Sequence, residues 1–189
     1  MVELKAKSSK RAAILHAMLE IVAERGLHEA SMSLVMERSG ASAGVIYHHF
    51  ASKEAILKAV FDQVRRLKVE RMLAFYTPGM EPREAFLQFG IHAYRFYRDH
   101  PREVRFLRQV TVAGLSCCTE EGAYSEVAAD FERCFQRQSE GGVLKNWPKP
   151  VLEEVTVGLV ERLAALPEDV SEAMLREVGS HIWEAVKAE

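Results

Sequence analysis

The stretch from Ser31 to Lys53, SMSLVMERSGASAGVIYHHFASK, decides how the rest of the chain is read. Ser31 is placed to cap a helix, and Met32, Val35 and Met36 then fall at i, i+3 and i+4, one apolar face over about two turns. Gly40 ends that helix, since glycine tolerates the left-handed conformation that closes a helix C-terminus. Ser42 caps a second helix, whose Ile46 and Phe50 point inward at i, i+4 while Ala43, Gly44, Val45, Tyr47 and His48 face out. An outward face with small residues at its start and Tyr and His near its end suits a helix that lies close against something large. Two short helices joined by a glycine turn, with that face on the second, are a helix-turn-helix.

Upstream, Ile14, Leu15, Met18, Leu19, Ile21 and Val22 give a helical stripe from Lys10 to Arg25, and Gly26 is its natural C-cap. The lead into it, KAKSSKR at residues 5–11, has two readings that stay open, a solvated terminus and an arm that contacts phosphate. Downstream, Ser52 caps a long helix whose Ile56, Leu57, Val60, Phe61, Val64, Leu67 and Met72 keep one apolar face until Thr77-Pro78-Gly79. About 24 residues make a rod of about 36 Å. It links the helix-turn-helix to the C-terminal part of the chain, and the expected domain boundary lies at its start, giving residues 1–51 and 52–189.

The run Gly40-Ala41-Ser42-Ala43-Gly44-Val45-Ile46-Tyr47-His48-His49-Phe50-Ala51-Ser52-Lys53-Glu54 resembles the helix-turn-helix signature of the TetR family of bacterial transcriptional regulators. The usual form of that signature is close to G-V-S-K-G-T-L-Y-H-H-F-x-S-K-E. The match joins a turn glycine, a serine cap, a central glycine, the Tyr-x-x-Phe pair and a Ser-Lys cap without a gap. Two residues depart from it: Ala43 stands where the family often has Lys, and Val45 where it often has Thr or Ser. One phosphate contact and one polar contact common in the family are therefore missing.

The resemblance implies an all-α chain of about nine helices. An N-terminal three-helix DNA-binding domain is followed by a helical ligand-binding and dimerisation domain. The residues expected on the DNA face are Ser33, Ser42, Ala43, Gly44, Val45, Tyr47, His48 and Lys53. Each has a physical reason to be there. Gly44 lacks a Cβ and lets the backbone approach a groove wall, or else serves close helix packing. Tyr47 offers a hydroxyl to phosphate from a stiff ring, and Lys53 adds a charge at the start of the long helix. In the family, the first of the two histidines tends to face phosphate and the second lies nearer the core.

Length and composition fit this reading. The 189 residues are 48% hydrophobic and 28% charged, a globular composition that can bury a sizeable core. No apolar run approaches the roughly 18 residues of a membrane span, the first residues carry no apolar signal segment, and a cytoplasmic protein is expected. Three cysteines, Cys117, Cys118 and Cys134, argue against a disulfide framework. The net charge of −2 hides a gradient of +2 over residues 1–53, +1 over 54–139 and −5 over 140–189. Only the first part suits a polyanion, and so small an excess makes DNA binding depend on a few placed contacts doubled in a dimer.

After Pro82, a helix with Phe86, Phe89, Ala93, Phe96 and Tyr97 runs to Asp99, and Pro101 opens another with Val104, Leu107 and Val110 inward. Residues 114–122 read as a loop or broken helix, and residues 124–140 as a helix carrying Phe131. The aromatic stripe has two readings, plain core and a site for an apolar or aromatic effector. On the second, the candidates are Phe61, Phe86, Phe89, Phe96, Phe106, Val110, Cys117, Tyr124 and Phe131. Arg95, Arg98, Arg102, Arg105 and Arg108 recur at near-helical spacing, as a solvated face or a dock for an anionic head group.

Two last helices are expected over about 151–166 and 168–188, lined by Leu152, Val155, Leu159, Val160 and Leu163, and by Val170, Met174, Val178, Ile182, Trp183 and Val186. In the resembled family such a pair meets its copy in a four-helix dimer interface. Carried over, this makes Leu152, Val155, Leu159, Val178, Ile182 and Trp183 the candidate dimer contacts; packing within one chain is the alternative.

No catalytic constellation stands out: there is no Gly-rich phosphate loop, no H-E-x-x-H, no C-x-x-C and no nucleophile elbow. No enzyme activity, cofactor or metal is expected. His48 and His49 are adjacent on a helix and diverge by about 100°. Cys117-Cys118 reads as a pair of small residues or as a thiol or soft-metal sensor. The function implied by the resemblance is a homodimeric repressor on a palindromic DNA operator, released by a small effector. Two other readings remain, a DNA-binding protein with a structural or cell-division role and no effector, and a helical interaction module with vestigial DNA binding.

Overall fold

The computed structural model describes residues 10–114, 129, 131 and 143–188. Among them the architecture is all-α. The chain runs α1 (Lys10–Arg25), α2 (Met32–Ser39), α3 (Ala43–His49), α4 (Lys53–Met72), α5 (Pro82–Asp99), α6 (Pro101–Val112), α7 (Lys149–Glu153), α8 (Leu159–Ala164) and α9 (Glu172–Val186), with a π-helical turn, Glu154–Gly158, joining α7 to α8. Cys117, Cys118, Tyr124, Cys134 and the helix expected over 124–140, apart from Ala129 and Phe131, lie outside the described residues.

Two compact units are present. The first holds residues 10–66 together with α6, and the second holds Leu67–His100 with α7, α8 and α9. The first unit is larger than the segment 1–51, because Phe106 and Val110 of α6 and Ile56, Val60, Phe61 and Val64 of α4 share one buried core with Ile14, Met18, Ile21, Val35 and Ile46. Two short helices cannot enclose a core alone, so the helix-turn-helix is seated on α1, α4 and α6. Arg102 of α6 also reaches Glu20 of α1 at 3.4 Å.

In the second unit α5 is the central helix. Its buried residues are Ala85, Leu87, Ile91, Ala93, Tyr94, Phe96 and Tyr97, and the helix packs against α8 and α9. Gly179 of α9 crosses close to Leu87, where an added Cβ would lie 2.9 Å from a Leu87 methyl. Tyr94 donates a 2.6 Å hydrogen bond to Asp169 and accepts one of 2.8 Å from the Val170 amide. Arg98 donates to the Leu166 carbonyl at 2.7 Å. These bonds fix the turn between α8 and α9 onto α5. The end of the chain is fastened by a β-bridge between Leu144 and Lys187.

Three elements differ from the sequence expectation. Helix α4 stops at Met72 rather than at Thr77, and the turn after it brings Phe75 and Tyr76 together onto Phe131, with ring centroids 6.4 and 5.2 Å away. The helix expected over 151–166 is broken by the π turn. Its Val155-Thr156-Val157 run is β-branched, a weak helix former, and the Thr156 hydroxyl donates back to the Leu152 carbonyl at 2.6 Å. Helix α9 starts at Glu172, not near Glu168, because Ser171 is its N-cap and accepts from the Met174 amide at 3.3 Å. Val170 therefore lies in the turn.

Candidate nucleic-acid interface

The caps of the helix-turn-helix form as the sequence demands. Ser31 accepts from the Leu34 amide at 3.3 Å, Ser42 from the Val45 amide at 3.5 Å and Ser52 from the Ala55 amide at 3.2 Å. Gly40 sits at φ 60° and ψ 23°, the left-handed conformation that lets the chain turn from α2 into α3. Ile46 is fully buried and Phe50 nearly so, and these two anchors hold α3 against the core. Tyr47, 57% exposed, and the exposed Ala43, Gly44 and His48 form the outward face.

Cations flank this face instead of standing on it. Lys10 donates to the Gly40 carbonyl at 3.2 Å, at the turn itself. Lys53 donates to the Leu27 carbonyl at 3.5 Å, so its ammonium is drawn toward the end of α1. Arg11 lies over the Phe50 ring at 5.2 Å. Lys10 and Arg11 are legible in the sequence only as part of the basic lead, because nothing in sequence spacing brings residue 10 to residue 40. Ser33 is exposed on α2.

Two residues of α3 sit differently from the expectation. Val45 is only partly exposed and packs against the core, as one step of about 100° from the buried Ile46 leaves it at the border of the outward face. His49, the histidine placed nearer the core by the resemblance, is exposed and makes an edge-on ring contact with His48 at 5.2 Å. Phe50, directly after it, takes the inward position.

The candidates for an effector site do not form one site. Phe61, Phe106 and Val110 are buried in the core of the first unit. Phe96 is buried in the second unit beside Tyr97 and His100. Phe86 and Phe89 do line a common cleft, with Thr156, Leu159, Val178 and Ile182. Its walls are apolar, and Phe89 also stacks on Phe131 at 5.0 Å. Cys117 and Tyr124 lie outside the described residues.

Of the candidate dimer contacts, Leu152, Val155, Leu159, Val178 and Ile182 are partly exposed. Trp183 is not available to a partner. It is 6% exposed and spent on its own chain, against Phe86 at 5.4 Å, because the register of α9 turns it toward α5. Met174, Leu166 and Val151, with Trp147 just before α7, are the exposed large apolar residues of the described C-terminal segment.

The arginine series is divided among structural tasks. Arg95 pairs with Glu172 at 2.8 Å, Arg98 holds the α8–α9 turn, and Arg102 pairs with Glu20. Those three do not form an anion dock. Among the described residues, no cluster of three or more His, Cys, Asp or Glu could hold a metal ion, and no helix is long and apolar enough to cross a membrane.

A capped helix-turn-helix with an exposed second helix defines a class of DNA-binding proteins. Residues 14–60 match the model of the bacterial regulatory proteins of the TetR family, so this part of the chain is a TetR-family helix-turn-helix domain. The HTH-type transcriptional regulator UidR of Escherichia coli (strain K12) is 46% identical over 71 residues, 38% of this chain and 34% of UidR. The fatty acid metabolism regulator protein of Bacillus subtilis (strain 168) is 35% identical over 69 residues, 36% of each chain. The matched stretches thus span about a third of these curated relatives. The fold is shared along nearly the whole chain. A TetR family transcription regulator from Marinobacter aquaeolei VT8 superposes with a TM-score of 0.82 at 22% identity, over 95% of this chain and 96% of that one. A putative TetR-family regulator from Vibrio parahaemolyticus gives 0.76 at 22%, over 95% and 99%. The resemblance read from Gly40–Glu54 and the all-α fold expected from it are borne out.

Proposed function

We propose that this protein is a transcriptional repressor that binds a palindromic operator as a homodimer and leaves it when a small apolar or aromatic effector binds. The observation that carries the reading is α3 itself. It is held by Ile46 and Phe50, capped by Ser42, and presents Ala43, Gly44, Tyr47 and His48 to solvent within a segment that matches a DNA-binding family. In the proposed division of labour, residues 1–51 carry DNA recognition and residues 52–189 effector binding and dimerisation.

Dimerisation is supported by the charge balance and by apolar exposure. A surplus of two positive charges over residues 1–53 makes one copy a weak polyanion binder. Two copies that place α3 in successive major grooves, about 34 Å apart, double every contact. Leu166 and Met174, 47% and 49% exposed, supply apolar surface for a second chain. The apolar cleft lined by Phe86 and Phe89 supports the class of effector. Release then results from a population shift, in which the effector prefers a conformation whose two recognition helices no longer fit their grooves.

The test is a binding assay with the full chain on the DNA flanking its own gene, at two salt concentrations, with light scattering on the same sample. Affinity that falls steeply with salt and a dimer mass are expected. Salt-insensitive retention, or a single species at monomer mass that still binds tightly, overturns the reading.

A further inference from the structure

We infer that this chain discriminates its operator through thymine methyl groups packed on Ala43, not through paired hydrogen bonds to guanine or adenine. The inference rests on the DNA-binding reading above and concerns the same face. Paired readout of a base edge needs a forked donor or a donor–acceptor pair, which Arg, Lys, Asn and Gln supply. Helix α3, Ala43-Gly44-Val45-Ile46-Tyr47-His48-His49, contains none of the four. The exposed polar residues of α3, Tyr47, His48 and His49, carry no forked donor set, and the polar groups flanking the helix are committed elsewhere. The Ser42 hydroxyl caps α3, and the ammonium groups of Lys10 and Lys53 rest on the carbonyls of Gly40 and Leu27. Lysines held at the rim are suited to phosphates.

Gly44 supplies an independent observation. A Cβ placed on it would meet nothing within 4 Å, and its backbone is not left-handed, so neither packing within the chain nor conformation calls for glycine there. Glycine inside a helix is nonetheless unfavourable relative to alanine. What the missing Cβ provides is space for a group that arrives from outside the chain. With Gly44 letting the backbone come close, the exposed methyl of Ala43 reaches the groove floor, where the thymine C5 methyl is the feature that an apolar group recognises.

The experiment selects duplexes from a random library with the full-length protein, then replaces each thymine of the enriched half-site by deoxyuridine, which removes only the C5 methyl. Wild type and Ala43→Gly are compared on both duplexes. At least one thymine is expected where the replacement weakens wild-type binding about fourfold, the value of one buried methyl. The same replacement has little effect on Ala43→Gly, as coupling between the two methyls requires. Gly44→Ala is expected to weaken binding to every duplex with no loss of folding stability. Uracil tolerance at all positions, an equal uracil effect in Ala43→Gly, or salt-dependent binding with no enriched sequence overturns the inference and leaves DNA binding standing. Absence of salt-dependent binding to any duplex overturns both.

Discussion

Glu24 on α1 and Arg38 in the last turn of α2 meet at 2.7 Å, tying the scaffold helix to the first helix of the helix-turn-helix. The hydrogen bond from Arg38, with its charge, holds the Glu24 carboxyl below the ordinary value of 4.5. A carboxylate with a depressed folded-state pKa adds stability above its unfolded value, and that contribution is lost as pH falls through the folded one. Glu24→Gln should therefore lower the thermal midpoint slightly near neutral pH. The gap to wild type should close as pH falls below 4.5. Thermal scans across that range check it, and a gap unchanged in acid would contradict the assignment.

Tyr47 and Lys53 should lose DNA affinity in distinguishable ways. Tyr47 is neutral and 57% exposed, so Tyr47→Ala should leave the melting temperature alone and weaken binding roughly three- to tenfold, the size of one net hydrogen bond. Its salt dependence should match wild type. Lys53→Ala should reduce the slope of log affinity against log salt by about one per half-site, because a counterion is no longer released. Equal slopes for the two variants would remove Lys53 from the phosphate contacts.

Gly40 isolates the conformational part of the turn. A Cβ there meets nothing within 4 Å, so the cost of Gly40→Ala arises from its φ of 60° alone. That cost is about 1 kcal/mol, with Gly40→Asn below it, because Asn tolerates the left-handed region better. Denaturant midpoints at unchanged slope measure it. A neutral Gly40→Ala would mean that the turn adopts another conformation in solution.

The dimer reading can be separated from the DNA face. Met174 is 49% exposed on α9 and belongs to the compact unit that does not contain α3. Met174→Asp should yield a monomer by light scattering, with helicity retained in circular dichroism. Its operator affinity should fall by more than any single DNA-face substitution produces, since all contacts of one half-site are lost together. A dimer mass for this variant would move the interface elsewhere.

What can be read from the sequence depends on the reach of the interactions involved. Ser31, Gly40, Ser42 and Ser52 act on amides three residues away or on their own φ, so their chemistry is complete within the quoted stretch. Ile46 and Phe50 are legible because helical spacing sets which side chains turn inward. The place of α6 is not, because Phe106 joins a core built from residues 14–64 through tertiary contact alone. Helical spacing alone leaves Trp183 free for a partner, and its pairing with Phe86, nearly a hundred positions earlier, has no local signal. The π turn is equally hidden. β-Branched residues weaken an α-helix, but they do not say which irregularity replaces it.

Tyr94 is the longest-range of these contacts to the α8–α9 turn and gives the sharpest stability test. Its hydroxyl donates to Asp169, 75 residues away, and accepts from the Val170 amide, closing that turn onto α5. The tyrosine is 4% exposed, while the side chain of Asp169 is 77% exposed. Removing the hydroxyl strands a backbone amide, whereas removing the carboxylate leaves the Tyr94–Val170 bond in place. Tyr94→Phe should thus cost about 1–3 kcal/mol, and Asp169→Ala distinctly less. Burial first, and then the hydrogen bond to Asp169, push the Tyr94 hydroxyl above its ordinary value of 10.0. An acid with a raised folded-state pKa loses stability as pH rises from its unfolded value toward its folded one. Wild-type stability should therefore fall above about pH 10 more steeply than that of Tyr94→Phe, and the two denaturation curves should converge. Parallel curves through that range would show that the hydroxyl is open to solvent and that the turn is held by Arg98 alone.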